Sequence, residues 1–489
     1  MVNPLTSQTP ISDSLNSNEY TFADSELQAA AKRLGLFSIC AVCGVMKRRG
    51  GTLARQLVFS VLVWPFIKKD SLRMFCLKHL KSFIDCAAST LYRFLGDETA
   101  NWRGVTRGLS KNFYRVHDLG SSDELSFVLD DSVKKRRGRK VEGCSTHFDH
   151  AESRCVHGQQ VVQLGLAHEE GFLPLDAQIY MGEKKRREVE DGFEDERSSV
   201  ARDYRVARDE DKNQIARGMV TRAVRAGFRA AYMLADSWFC NKANIAFAIS
   251  KGLTAVMRMK RAKTKYRYCG RLYTLVELYN ILKRRMKKLS GLNWRVVKVS
   301  VEMNLAPDGE PPRWTNVTIV FSAPKNGGKN KWAAFLSTDL EMSAEKVLEV
   351  YSRRWGIEVY FKEVKQNMGW LAEQTGRYAA HYASIHLASI RYILLADAVM
   401  NGCFADFATA RAKTHEGLEA LSFMKCLWTL FKSAIWDVLD QFVSQLGGEV
   451  VEEIKALVAQ SVEGMLEKAL QIDEHCLLAE KKALNAGIE

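Results

Sequence analysis

Between residues 125 and 259 the chain alternates strand-like and helix-like segments in an order that few folds can accommodate. Residues 126–130 (SFVLD) form a short apolar run that ends in an acid. Two more strand candidates follow at 160–166 (QVVQLGL) and 173–180 (LPLDAQIY), both rich in the branched and aromatic residues that suit a pleated surface. A charged, helical stretch runs from about 202 to 226, and residues 230–236 (AAYMLAD) are a second apolar run ending in an acid. A helix over 241–251 and a fifth strand over 253–259 close the series. The order β-β-β-α-β-α-β predicts a mixed sheet flanked by helices, with Asp130 and Asp236 at the ends of two strands.

The rest of the chain has a different texture. Residues 1–24 read as a polar leader, and from 25 to 122 the apolar period is helical, broken near Gly50-Gly51 and Gly96. Within it, residues 89–95 (STLYRFL) resemble the second helix of a small DNA-binding unit; a plain surface helix is the alternative. Residues 261–340 interrupt the core pattern with alternating segments (WRVVKVSV from 294, WTNVTIVF from 314) between turn-rich pieces such as Pro307-Asp308-Gly309 and Lys325-Asn326-Gly327-Gly328. They read as an inserted β-rich module between core segments 123–260 and 341–395. Residues 396–489 are again helical by period.

Charge is localised. The 489 residues carry 71 Lys+Arg against 57 Asp+Glu, a formal net of +14. Nearly all of it falls between 257 and 298, where 14 basic residues face one acid, Glu277. A second cluster, Lys134 to Lys140, is basic at six of seven positions, while 401–489 is net acidic. Concentrated positive charge is the footprint of a polyanion, because each neutralised phosphate releases condensed counterions. No ribonucleoprotein-type aromatic motif points to RNA. The N-terminus lacks the basic-then-apolar order of a secretory signal, and the longest apolar run, 57–67, contains Pro65 and is too short to span a bilayer. The expectation is a soluble, cytoplasmic protein. Eleven scattered cysteines read as free thiols in a reducing compartment. The group Cys144, His147, His150, Cys155 and His157 has ligand types for a metal, yet it also alternates like a strand, which is the plainer reading.

Residues 343 to about 370 are predicted as one helix, with Ser343 as N-cap and Glu345 in the first turn. At about 100° per residue, Tyr351, Arg354, Glu358, Lys362 and Lys365 share an arc of roughly 80°. Val350, Ile357, Phe361 and Val364 fall together in another sector, suited to packing on a sheet. One carboxylate ringed by Arg, two Lys and Tyr is an anion-handling surface. A solvated face laced by i,i+4 pairs is the alternative, but it leaves Tyr351 and Trp355 unexplained.

The spacing Tyr351-x2-Arg354-x3-Glu358-x6-Lys365 resembles the Y-R-E-K signature of bacterial insertion-sequence transposases of the DDE class, the insertion sequence four type. Leu129-Asp130-Asp131-Ser132 resembles that family's first acidic motif, and Leu234-Ala235-Asp236-Ser237-Trp238-Phe239 its second. Residues 335–340 (FLSTDL), leading into the signature, are also similar to the family. The resemblance covers about 123–395 and implies a ribonuclease H-like α/β core with a β-rich insertion, flanked by helical regions: N-terminal for DNA recognition, C-terminal for dimerisation. It implies a transposase that binds terminal inverted repeats, cleaves the ends and joins them to target DNA, working as a homodimer on the nucleoid.

The implied chemistry is metal-dependent phosphoryl transfer. Two divalent ions roughly 3.5–4 Å apart can activate water, stabilise the phosphorane and accept the leaving oxygen. Hard, oxygen-ligated Mg2+, with Mn2+ as a substitute, calls for carboxylates, and the resemblance assigns these to Asp130, Asp236 and Glu358. Asp131 adjoins Asp130 but should face the other side of a strand. By the same resemblance Tyr351, Arg354 and Lys365 hold phosphates; Lys362 joins them on helix geometry alone. The family stacks an insertion aromatic on a displaced base, for which Trp294 and Trp314 both remain open. Two other readings fit the same residues: a ribonuclease H-like nuclease without strand transfer, and an inactive, transposase-derived DNA-binding protein.

Overall fold

The computed structural model describes residues 26–46, 54–67, 71–138, 140–149, 153–289, 293–326 and 331–471. The leader, the Gly50-Gly51 break, His150, Arg139 and Gly327-Gly328 lie outside the described residues.

The N-terminal part is helical, as its period implies: α1 (Glu26–Arg33), α2 (Leu36–Val42), α3 (Ala54–Val63), α4 (Leu72–Lys78), α5 (Leu80–Phe83), α6 (Ala88–Leu95) and α7 (Trp102–Val116). α6 buries Leu91, Phe94 and Leu95 and leaves Ser89 and Arg93 exposed. The core begins with β1 (Ser126–Lys135), β2 (Ser145–Asp149), β3 (Arg154–His168) and β4 (Gly171–Tyr180). The helical stretch near 202–226 is two helices, α8 (Ser199–Asp209) and α9 (Lys212–Arg225). The break falls at Asp211, whose carboxylate accepts the Asn213 and Gln214 amides in a capping box that starts α9 afresh. Then come β5 (Tyr232–Ala235), α10 (Lys242–Ser250) and β6 (Thr254–Arg258).

Residues 261–340 hold β7 (Lys265–Tyr268), β8 (Arg271–Thr274), α11 (Leu275–Leu282), β9 (Lys287–Lys288), β10 (Trp294–Asn304), β11 (Trp314–Pro324) and β12 (Ala333–Ser337). They continue the core sheet. Its order is β2-β3-β1-β5-β6-β12-β11-β10-β7-β8, with β4 also paired to β3 and β9 to β10. β3 runs antiparallel to β1 and β4, whereas β5 is parallel to β1 and β6. β12 joins the edge of β6 antiparallel.

The chain ends in α12 (Ala344–Ser352), α13 (Trp355–Asn367), α14 (Tyr378–Met400), α15 (Phe407–Asp440), α16 (Val443–Leu446) and α17 (Gly448–Gln471). Among the described residues α14 is the one helix long and apolar enough to cross a membrane, but it is buried inside the fold. Its polar side chains find partners there. Arg391 donates to the carbonyls of Leu62 and Met368 (2.8 and 2.7 Å) and of Val61. Asp397 pairs with Arg33 and His117, both at 2.8 Å.

The close approach of α13 to the sheet rests on two glycines. β3 and β4 shift register between Leu164 and Gly165, and the Phe172 ring lies directly over Gly165. A Cβ at Gly165 would fall 2.0 Å from that ring, and one at Gly356 would meet Phe172 at 3.3 Å. Phe172 also packs on Tyr360 of α13, with ring centroids 5.2 Å apart. We expect Gly165→Ala to displace Phe172 and destabilise the protein by about 1–3 kcal/mol, read as a lower denaturation midpoint. An unchanged midpoint would show that the contact is slack.

Candidate active site

The two core acids meet because of strand register. β1 and β5 pair in parallel from Ser126↔Tyr232 to Leu129↔Ala235, and there the pairing stops. Asp130 and Asp236 are the next residues on each strand, so they lie side by side. Asp236 ends its strand as expected. Asp130 does not: β1 continues to Lys135, held by β3 alone, and Asp130 sits in mid-strand where β5 departs. The Asp236 carboxylate accepts the backbone N–H groups of Trp238 (2.9 Å) and Phe239 (3.4 Å), a turn that fixes its orientation.

The third acid arrives on α13. The single helix predicted over 343–370 is instead two, α12 and α13, joined at Arg353-Arg354. Ser343 caps α12 as expected, accepting the Lys346 amide. Across the joint the bonds are i→i+3: the N–H of Arg354 donates to Tyr351, and that of Ile357 to Arg354. This tight turn overwinds the chain. It occurs beside the place where Gly356 lies against Phe172. Ile357, Tyr360, Phe361 and Val364 are buried against the core.

Arg354 is the hub of the result. Its guanidinium donates to Asp130 at 2.8 Å and to Glu358, so one side chain bridges the first and third acids. It also lies 5.8 Å from the centre of the Tyr351 ring, which packs on Phe335 at 4.7 Å. Burial opposes the Arg354 charge, but Tyr351, Asp130, Glu358 and Asp236 around it push its pKa up. Burial pushes the Asp130 carboxyl up to about 7; Arg354 opposes that rise, while Asp236 and Asp131 add to it.

Among the described residues no three acid, His or Cys side chains lie close enough to grip a metal ion together. The donor set nevertheless fits a hard divalent cation. Three carboxylates against one guanidinium leave an excess of two negative charges for a cation to offset, and burial first, then Asp236 and Asp131, raise the Asp130 pKa. Asp130, Asp236 and Glu358 are the residues that would hold such an ion.

Asp131 takes other partners, pairing with Lys212 of α9 at 2.6 Å and accepting from Gln160 at 2.7 Å. Both adjacent acids line one cleft of about 790 Å³, together with Asp236, Lys134, Lys365, Lys212 and Trp238. Lys362 is exposed on α13 and lies off this cleft. Lys212 and Trp238 escaped the sequence reading; Trp238 stood inside the second acidic motif, but nothing marked Lys212. Of the two candidate tryptophans, Trp314 is covered by the Arg267 guanidinium at 3.8 Å, whereas Trp294 is 43 % exposed.

Residues 78–272 match the family model for DDE superfamily endonuclease, and residues 195–394 that for the transposase DDE domain. The matches overlap, and between them they take in Asp130, Asp236 and Glu358. They support a DDE transposase or DDE endonuclease, a nuclease-type enzyme whose substrate is DNA. Domains of this class are ribonuclease H-like and generally use divalent metals, in keeping with the mixed sheet and the acids upon it. No curated protein matches the chain.

The Asp130 shift predicts a pH signature. An acid whose pKa rises from 3.8 to about 7 on folding costs stability above 3.8, increasingly up to about 7. Asp130→Asn removes that cost. Without divalent ions, its gain over wild type should be larger at pH 8 than at pH 5 by about 2–3 kcal/mol, measured by denaturation. Equal gains at both pH values would contradict the shift.

Proposed function

We propose that the protein is a DNA transposase of the Y-R-E-K type, which binds the terminal inverted repeats of its own insertion sequence, cleaves the ends and joins them to target DNA. The observation that carries this reading is the meeting of Asp130 and Asp236 at the split of two parallel strands, with Arg354 tying Glu358 to Asp130. Each part has work in phosphodiester chemistry. Arg354 can hand its paired donors from the carboxylates to a phosphate, and Lys365 adds a point charge from the cleft wall. Tyr351 offers a hydroxyl to the same phosphate, and Lys362 a charge along the flanking backbone. When bound, Mg2+ or Mn2+ would polarise the scissile phosphate and lower the pKa of water. Asp130, Asp236 and Glu358 provide the hard oxygen ligands for it.

On this reading α1–α7 contribute to end recognition, residues 261–340 are an insertion in a ribonuclease H-like core, and the protein acts on the nucleoid in the cytoplasm. Pairing of two ends calls for a homodimer, which the exposed Phe423, Leu430, Phe431 and Val438 of α15 support.

Glu358→Ala should cut end cleavage by about a thousandfold or more, some 4 kcal/mol, while end binding persists. Retained cleavage would defeat the assignment. The product decides between the two enzymatic readings: joined ends on a target plasmid mark a transposase, and nicks without joining mark a nuclease.

A further inference from the structure

Two corners of the molecule, far apart along the chain, carry exposed apolar side chains that the chemistry of the acids does not use. The first is the outer end of segment 261–340, where β8 is the last strand of the sheet. Leu272 of β8 and Val276 and Ile281 of α11 are 43–49 % exposed there. α11 runs directly into a turn of three exposed cations, Lys283, Arg284 and Arg285. From 271 to 288 the chain has six basic residues and one acid, Glu277. That acid is taken up by the cap of α11, accepting the Thr274 amide at 2.7 Å and its hydroxyl at 2.9 Å. Among the described residues none of Arg271, Arg284 and Arg285 pairs with a carboxylate. Close by, Lys288 of β9 stands directly across the ladder from Arg295 of β10, a pairing of like charges that costs stability unless an anion relieves it.

The second corner is where α15 ends, α16 crosses and α17 returns. Gly447 makes the corner at a φ of 85°, a backbone conformation that favours glycine. Lys455 of α17 reaches back to Asp440 of α15 at 2.6 Å and clasps the two helices together. Phe442, Val443, Leu446 and Val450 project from this corner, 40–49 % exposed. From 437 to 455 there are five acids, all exposed, and one base, Lys455.

Both corners are apolar patches with a charged border, and the borders have opposite signs. A phosphate backbone would satisfy the cations of the first corner, but it offers nothing to Leu272, Val276 and Ile281. An acidic surface with apolar side chains satisfies both, and the chain itself has one. We propose that the β8–α11 corner of one copy docks on the α15–α17 corner of a second copy. The exchange is mutual, so a two-fold dimer holds two such contacts. The contact deepens the homodimer named above and rests on that part of the reading, not on the chemistry of the acids.

The test measures the mass of the full chain by sedimentation equilibrium, without DNA or divalent ions. The wild type should form a dimer that loosens as salt rises. Arg284→Glu with Arg285→Glu, and separately Glu449→Lys with Glu453→Lys, should each weaken self-association by about tenfold or more, because like charges then face each other at both contacts. Mixed in equal amounts, the two double variants should form a dimer again, since each reversed corner meets the reversed corner of the other. Val276→Ser should weaken the wild-type dimer and leave its salt dependence unchanged. All five positions are exposed, so denaturation midpoints should equal that of the wild type. Where a double variant does not fold, Val276→Ser and the wild-type salt dependence decide. A dimer indifferent to both reversals, or variants that stay apart when mixed, would overturn the contact and leave the homodimer to the α15 face. A wild type that is monomeric at every concentration removes the homodimer as well. Weaker DNA binding by Arg284→Glu with Arg285→Glu at unchanged mass would overturn the contact too, and make the first corner a DNA surface.

Discussion

The geometry of the site depends on where the parallel pairing of β1 with β5 stops. Four residue pairs hold the strands together, and then β5 turns away while β1 runs on beside β3. The split leaves two carboxylates next to each other at the edge of a dry sheet, where like charges repel and water is scarce. Such an arrangement survives only if cations hold it. Within the chain Arg354 serves Asp130 and Glu358, and Lys212 serves Asp131. Burial, with Asp236 and Asp131 beside it, raises the Asp130 pKa against the pull of Arg354.

A helix must deliver Arg354 and Glu358 to that split, and the surroundings of that helix are built to keep it still. The glycine contacts on Phe172 set its distance from the sheet. α14 sets its far end, through the Arg391 bond to Met368 where α13 finishes. The same α14 ties in the N-terminal helices. Arg103 of α7 donates to Asp176 of β4 at 2.9 Å and to Asp203 of α8 at 2.6 Å, and Tyr382 of α14 accepts the Arg103 amide. Removing one partner from a buried pair of this kind costs about 3–5 kcal/mol, because it strands the other charge. The helices before residue 117 are therefore mechanically continuous with the acids.

Much of this was legible in the sequence, and the exceptions share a cause. The succession of strands and helices in the core and the two acids could be read because burial forces period and composition locally. The N-cap at Ser343 followed from side-chain chemistry. The joint at Arg353-Arg354 was not legible, since both residues suit a helix, and beside it Gly356 lies against Phe172, far away in sequence. The length of β1 past Asp130 was hidden too, because its partner there, β3, is separated from it by the basic loop and β2. Lys212 looked like any surface lysine at a helix start, and its role depends on Asp131 and Trp238 converging on it.

The strand that completes the edge of β6 is β12, some eighty positions later, and the helix with Glu358 follows it. On the ribosome, a nascent chain can pair β1 with β5 and bring two acids together long before the third exists. An unfinished polypeptide that stops before the joint into α13 has Lys134 and Lys212 of the groove, but it lacks the last carboxylate, the arginine that goes with it and Lys365 together.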